Sequence, residues 1–153
     1  MNQPGQSRGR AAPLRASGWT LAELLICIAL VGTMAALAMP AYLEQQRQAR
    51  RSDARVALQQ LQMDQVRWRG EHETYADSLA ALGWRNDSSP GGHYRIRITQ
   101  ADADGFTLEA WPWGSQAADT ACSPLRLTGL GSAGTTLSAG EHGDSDPGRC
   151  WRQ

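Results

Sequence analysis

An uninterrupted apolar run near the amino end constrains this chain more than any other feature. Residues 24–41 contain no formally charged side chain, and these 18 residues span about 27 Å as an α-helix. That length is close to the thickness of a bilayer core, so the run predicts a membrane-inserted helix. Glu23 stands at its start, just after a leader that ends at Gly18. Because a carboxylate is unfavourable in hydrocarbon, we expect Glu23 to have a partner, unless it lies at the lipid headgroups.

The charge distribution separates the leader from the rest of the chain. The 153 residues have no net formal charge, but the first 18 hold three arginines and no acidic residue. The remainder is mildly acidic and does not require a nucleic-acid partner. Arginines lie on both sides of the apolar run, so the positive-inside rule orients the helix only weakly.

The cysteines supply the missing orientation. Cys27 lies inside the apolar run and is predicted to be a small hydrophobic side chain there. Cys122 and Cys150 lie in the polar carboxyl-terminal part, where a disulfide is favoured and two free thiols are the alternative. A disulfide needs an oxidising compartment, which places this part of the chain outside the cytoplasm.

The apolar helix is predicted to continue as an amphipathic helix up to Gly70. Between residues 54 and 68, apolar side chains recur at spacings of three and four, with charged and amide side chains between them. We expect one helix of about 50 residues, apolar on all sides in its first half and on one side in its second. Gly32 and Pro40 are the positions where it is expected to bend.

The second half of the chain carries strand signals. Apolar and polar residues alternate over 94–99, the pair Asp104-Gly105 predicts a hairpin turn, and the alternation resumes over 106–110. A third strand is predicted over 124–128 and a loop beyond Gly129. These elements predict an α+β fold, in which a long N-terminal helix packs on a small antiparallel sheet with a disulfide-closed C-terminal region.

A cut after Gly18 would provide the partner that Glu23 lacks. The new amine of Trp19 would lie four residues from Glu23, at the same end of the helix. In a bundle of identical helices, this amine would pair with Glu23 of a neighbouring subunit in a medium of low dielectric constant. Because the pair forms at a single axial offset, it would set the register of the bundle.

The residues at this junction resemble the class III signal of type IV pilins and related pseudopilins. The usual form is Gly, Phe, Thr, Leu, any residue, Glu; Trp19 replaces the Phe, and the matching positions are Gly18, Thr20, Leu21 and Glu23. The resemblance implies that prepilin peptidase cuts after Gly18 and N-methylates Trp19. Pro40 also stands where many pilins carry a helix-loosening proline.

The resemblance divides the chain into three regions. Residues 1–18 would be a cleaved cytoplasmic leader, 19–41 the membrane and assembly helix, and 42–153 an extracytoplasmic globular domain. Within that domain we expect the amphipathic helix to about 69, the sheet over about 93–128 and the disulfide region over 122–150. The implied location is the bacterial inner membrane, with the C-terminal domain periplasmic, and then a surface pilus.

Further segments are similar to the minor pilins of the PilE kind, namely residues 50–54 and 75–83 and the cysteine pair. This implies a structural minor subunit of a type IV pilus, without enzymatic activity, cofactor or metal, that serves adhesion, twitching motility or pilus assembly. The implied partners are other major and minor pilins, prepilin peptidase, the inner-membrane assembly platform and, before assembly, membrane lipid.

Three alternatives remain open at this point. A type II secretion pseudopilin has the same N-terminal pattern. An ordinary secretory signal ending in the Ala-Leu-Ala of residues 36–38 would release residues 39–153. A DNA-binding minor pilin would hold phosphates with Arg95 and Arg97, in a basic patch whose other members are Arg85, Arg149 and Arg152. For these arginines the solvent face of a sheet is the simpler interpretation.

Overall fold

The computed structural model describes residues 20–151, except for the side chain of Ser132. The chain divides after Pro40 into two compact units. Helix α1, Leu21–Arg69, has 49 residues and contains Pro40. Thr20 caps its start by accepting a hydrogen bond from the Glu23 backbone N–H at 3.2 Å. The prediction of a single long helix ending at Gly70 is confirmed, whereas the bends at Gly32 and Pro40 stay predictions.

The first unit contributes residues 21–40 of α1. All of them are exposed except Cys27, which is half-buried. By length and composition this part of the helix is able to cross a membrane, and none of its most apolar 18-residue window is buried within the structure. Its apolar surface is therefore not covered by the part of the chain that the structure describes.

The second unit contains a four-stranded antiparallel sheet. Its strands are β1 (Tyr94–Ala101), β2 (Phe106–Pro112), β3 (Leu125–Gly129) and β4 (Thr135–Ala139), and they lie side by side in this order. The first three strands and the hairpin at residues 102–105 are confirmed. The loop predicted beyond Gly129 is wrong in part, because β4 and the short helix α2, Pro147–Trp151, lie there. β4 holds one large apolar residue, Leu137, so its alternation is weak.

The core lies between the second half of α1 and one face of the sheet. Ala54, Ala57, Leu58 and Leu61 of the helix are fully buried, as are inward-facing residues of three strands, including Ile96, Leu108 and Leu125. Apolar residues spaced three and four apart along the helix therefore pack, in one apolar layer, against apolar residues spaced two apart along the strands. This confirms the predicted α+β fold with a long helix packed on an antiparallel sheet.

Two sets of contacts hold the irregular segments to this core. The predicted disulfide between Cys122 and Cys150 is present and buried, and it joins the β2–β3 connection to α2. The connection before β1 is held by the side-chain amide of Gln65. This amide donates to the Ala76 carbonyl at 2.7 Å and accepts from the Ala76 N–H at 2.8 Å.

Candidate functional sites

Glu23 lies in the first turn of α1 with its side chain exposed. Within residues 20–151 its carboxylate has no hydrogen-bond or ion-pair partner. Gly18 and Trp19 lie outside the described residues, so the cut, the N-methylation and the amine–carboxylate pair stay predictions.

A second candidate surface is the outer face of α1 in the globular unit, opposite the buried stripe. Val56, Met63 and Val66 are 56%, 66% and 56% exposed. The exposed positions of this seam recur at spacings of three and four and carry no charge: Gln45, Ala49, Ser52, Val56, Gln59, Met63 and Val66. Such a charge-free line on an exposed helix is typical of a surface that packs against another element.

The third candidate is the face of the sheet that points away from α1. The structure brings Arg95 and Arg97 together there, two residues apart on β1. The Arg95 guanidinium carbon lies 4.8 Å from the ring centroid of Trp113, and that of Arg97 lies 5.8 Å from the ring of Trp111. The indole rings attract the guanidinium groups by cation–π interactions and restrict their positions.

Glu109 lies on the same face, beside Arg97 in the strand register. It is 7% exposed, and its two oxygens are occupied. Oε1 accepts from Arg126 Nε at 2.8 Å, and Oε2 accepts from the indole N–H of Trp111 at 2.9 Å. Because these donors occupy both of its oxygens, Glu109 forms no ion pair with Arg95 or Arg97 among the described residues.

Asp87, in the segment before β1, contacts this edge. Its Oδ1 lies 2.6 Å from Arg95 Nη1, and both side chains reach solvent. Asp87 was not predicted as a site residue, because its segment is a run of helix- and strand-breaking residues. Glu109 and Arg126 were not predicted either, although the alternation along β2 and β3 places both on the outer face.

The structure describes four of the five arginines of the alternative basic patch. Arg149 does not join Arg95 and Arg97; it lines a cleft beside α1 together with Gln48 and Ser52. Arg149 belongs to α2, which the disulfide joins to the β2–β3 connection. Arg85 is exposed in the segment before β1, and Arg152 lies outside the described residues.

A buried polar cluster fixes the β2–β3 connection against α1. Asp119 accepts from Arg51 Nε and Nη2, both at 2.7 Å, and the two side chains are 3% exposed. The hydrogen bond to Asp119 raises the pKa of Arg51. Gln116 Nε2 donates to Asp119 and to the Tyr94 hydroxyl. Burial raises the pKa of Tyr94 to about 12.

Comparison with known proteins agrees with these features. A sequence profile of the family described as "Type IV minor pilin ComP, DNA uptake sequence receptor" matches residues 40–126, more than half of the chain. The type IV major pilin protein PilA of Myxococcus xanthus (strain DK1622) is 31% identical over 90 residues. That alignment covers 59% of this chain and 40% of PilA, so the chain spans less than half of the length of this relative. With its long N-terminal helix, antiparallel sheet and C-terminal disulfide, the chain belongs to the type IV pilin family, in the group of the minor pilin ComP.

Proposed function

We propose that this protein is a minor structural subunit of a type IV pilus. Prepilin peptidase cuts it after Gly18 and N-methylates Trp19. Before assembly the subunit lies in the inner membrane, with its globular domain in the periplasm. It then enters the pilus through α1, by way of the assembly platform, and contacts major and other minor pilins.

The single observation that carries this proposal is the first half of α1. It is apolar on every side and exposed, and its carboxylate, Glu23, has no partner within residues 20–151. Lipid covers such a helix before assembly, and a bundle of similar helices covers it afterwards. The bundle also brings a neighbour's Trp19 amine to Glu23, so that the carboxylate is compensated within the apolar medium.

The charge-free seam on the outer face of α1 supports the same proposal. Val56, Met63 and Val66 are exposed in the isolated chain, and in a filament other pilins cover them. Both the family match and the similarity to a pilus subunit favour a pilus over a type II secretion pseudopilus. Co-purification of the full chain with surface pili, and its absence from a secretion pseudopilus, is the test between the two.

The processing step is tested by mass spectrometry of the mature chain from its host. We expect Trp19 as the first residue, with one added methyl group. A mature chain that begins at Met39 would support the secretory signal instead and would remove the assembly helix. The N-terminus can also be labelled selectively for this test. Because the chain contains no lysine, an acylating reagent reacts with its N-terminal amine, primary or N-methylated, as the only aliphatic amine.

The pairing step is tested by Glu23→Ala in the full chain. Cleavage should continue, since the peptidase site is intact, but incorporation into pili should fall at least tenfold. Glu71→Gln is a matched control, because Glu71 is exposed and forms no ion pair among the described residues. Normal incorporation of the Glu23→Ala protein would contradict the pairing.

We propose nucleic-acid binding as a second function. It is supported by the description of the matched family as a DNA uptake sequence receptor and by the two arginines on the sheet face. Cations of this kind neutralise phosphates, so affinity should fall steeply with salt. Changing Arg95 and Arg97 together to Gln should weaken binding of duplex DNA at least tenfold.

Arg67→Gln is the control for this experiment, since Arg67 is 73% exposed and lies at the far end of α1. Equal weakening by the control would indicate a general effect of net charge. No affinity of the full chain for duplex DNA at low salt would end the second proposal and leave the structural role untouched.

A further inference from the structure

We propose that Asp87 occupies, as a built-in carboxylate, the place on Arg95 that a backbone phosphate takes when a nucleic acid binds. The inference rests on the proposed nucleic-acid contact and adds to it a competing group within the same chain. Binding is then an exchange at Arg95, whose guanidinium group releases a carboxylate and takes up a phosphate. Arg97 has no carboxylate partner among the described residues and contacts phosphate directly.

The geometry of the ion pair suits such an exchange. Asp87 Oδ1 and Arg95 Nη1 are 2.6 Å apart, with the two side chains 50% and 33% exposed. Carboxylate and phosphate oxygens accept charge-assisted hydrogen bonds from a guanidinium group at similar distances. Because both side chains reach solvent, the replacement does not require the core to open.

The position of Asp87 is fixed by its backbone rather than by the ion pair alone. Its carbonyl accepts a hydrogen bond from the Ile96 N–H at 2.6 Å. The next residue, Ser88, forms an antiparallel bridge with Arg95. The segment thus forms a short backbone pairing with the edge of β1. This pairing keeps the Asp87 backbone next to Arg95 when the carboxylate leaves the guanidinium group.

Asp53 of α1 anchors the other end of this segment. Its carboxylate accepts hydrogen bonds from the Ser89 hydroxyl at 2.6 Å and from the Gly91 N–H at 2.7 Å. A Cβ atom on Gly91 would lie 2.9 Å from this carboxylate, so the approach depends on glycine. The segment that carries Asp87 is therefore tied to the long helix as well as to β1.

The two tryptophans act as supports for the arginines. Arg95 lies over Trp113 and Arg97 over Trp111, and the indole N–H of Trp111 donates to Glu109. In this proposal the arginines, rather than the indole rings, contact the nucleic acid. The contacts go to phosphates, which position a nucleic acid without reading its sequence. The two arginines stand about 6.6 Å apart along the strand.

The test is a binding measurement on the full-length chain in a nonionic detergent, with fluorescent duplex DNA of mixed sequence at low salt. Asp87→Asn keeps the size of the side chain and the backbone bond to Ile96. We expect this variant to bind the duplex about fivefold more tightly, because the Asp87 carboxylate no longer competes with a DNA phosphate for Arg95. The gain should be the same on a second duplex of unrelated sequence.

A double-mutant cycle shows whether the gain passes through Arg95. In an Arg95→Gln background, Asp87→Asn should raise affinity by less than about 1.5-fold, since the group that Asp87 blocks is gone. An equal gain in both backgrounds would be a long-range effect of net charge and would overturn the inference. Asp77→Asn is the matched control, because Asp77 is exposed and lies in another part of the connection.

The remaining outcomes separate this inference from the function on which it rests. If the unmodified chain binds DNA and Arg97→Gln weakens it, but Asp87→Asn has no effect, the exchange is wrong and the nucleic-acid contact stands. If Asp87→Asn binds and the unmodified chain does not, the exchange is supported in its strongest form. If neither protein binds at low salt, the nucleic-acid proposal fails and the exchange fails with it.

Discussion

The two halves of α1 show how one helix is stabilised in two different ways. Residues 21–40 are exposed on every side except at the half-buried Cys27. Residues 54–65 contain a fully buried stripe that packs on the sheet of the same chain. The second half therefore draws its stability from intrachain packing, whereas the first half needs lipid or other subunits to cover it. Substitutions should separate these two dependences.

The largest effect on stability is expected at the ion pair between Arg51 and Asp119. Replacing Asp119 by Ala leaves the Arg51 guanidinium group buried, with the more exposed Glu44 at 3.7 Å as its remaining carboxylate. We expect the free energy of unfolding of the globular unit to fall by about 3–5 kcal/mol. Urea unfolding followed by tryptophan fluorescence measures this loss, and a loss below 1 kcal/mol would contradict it.

A pair of Leu→Ala substitutions tests the comparison directly. Leu61 is fully buried in the second half of α1, and Leu37 is 83% exposed in the first half. We expect Leu61→Ala to lower the unfolding free energy by about 2–5 kcal/mol, and Leu37→Ala to change it by less than about 0.5 kcal/mol. Similar losses at both positions in the detergent-solubilised chain would break the distinction between the two halves.

The same contrast explains how much of the fold was predictable. Both halves of α1 were readable because their apolar periodicity is long, and β1 and β2 because their alternation flanks an Asp-Gly turn. β4 was missed because Thr135–Ala139 has one large apolar residue, and its strand state depends on pairing with β3. Local sequence carries little information about a strand that is defined by its neighbour.

The candidate sites were predictable to different degrees. Glu23 was identified from the sequence because a carboxylate beside an apolar run is conspicuous. The shared face of Arg95 and Arg97 followed from strand alternation, but their tryptophan partners and Asp87 did not. Those contacts depend on the β1–β2 register and on how the preceding segment folds back, which one-dimensional spacing does not reveal.

Stability at high pH provides a third test within the globular unit. Burial raises the pKa of Tyr94 from the ordinary value of 10.0 to about 12. The folded state therefore holds this proton more tightly than the unfolded state does. The stability that depends on it is complete below pH 10 and is lost as pH rises through about 12. We expect a loss of about 2 kcal/mol over this interval.

Tyr94→Phe is the matched variant for this measurement. It keeps the ring and removes the hydroxyl group that accepts from Gln116 at 3.0 Å. The variant starts less stable at neutral pH, but it should lose less stability between pH 10 and 12 than the unmodified protein. Parallel pH profiles for the two proteins would show that another group controls the alkaline transition.

The smallest effect on stability is expected on the outer seam of α1. This part of the helix packs within its own chain on one side, and we propose that other subunits cover its other side. Met63 is 66% exposed, so Met63→Glu should change the unfolding free energy of the globular unit by less than about 0.5 kcal/mol. The same substitution places a charge on a face that we propose other pilins cover, so incorporation into pili should fall. Gln62→Glu is the control, since Gln62 is adjacent to Met63 and turned toward Thr135 of β4. If both variants assemble normally, the seam faces solvent in the pilus. The second half of α1 would then pack only within its own chain and would not contact other pilins through this seam.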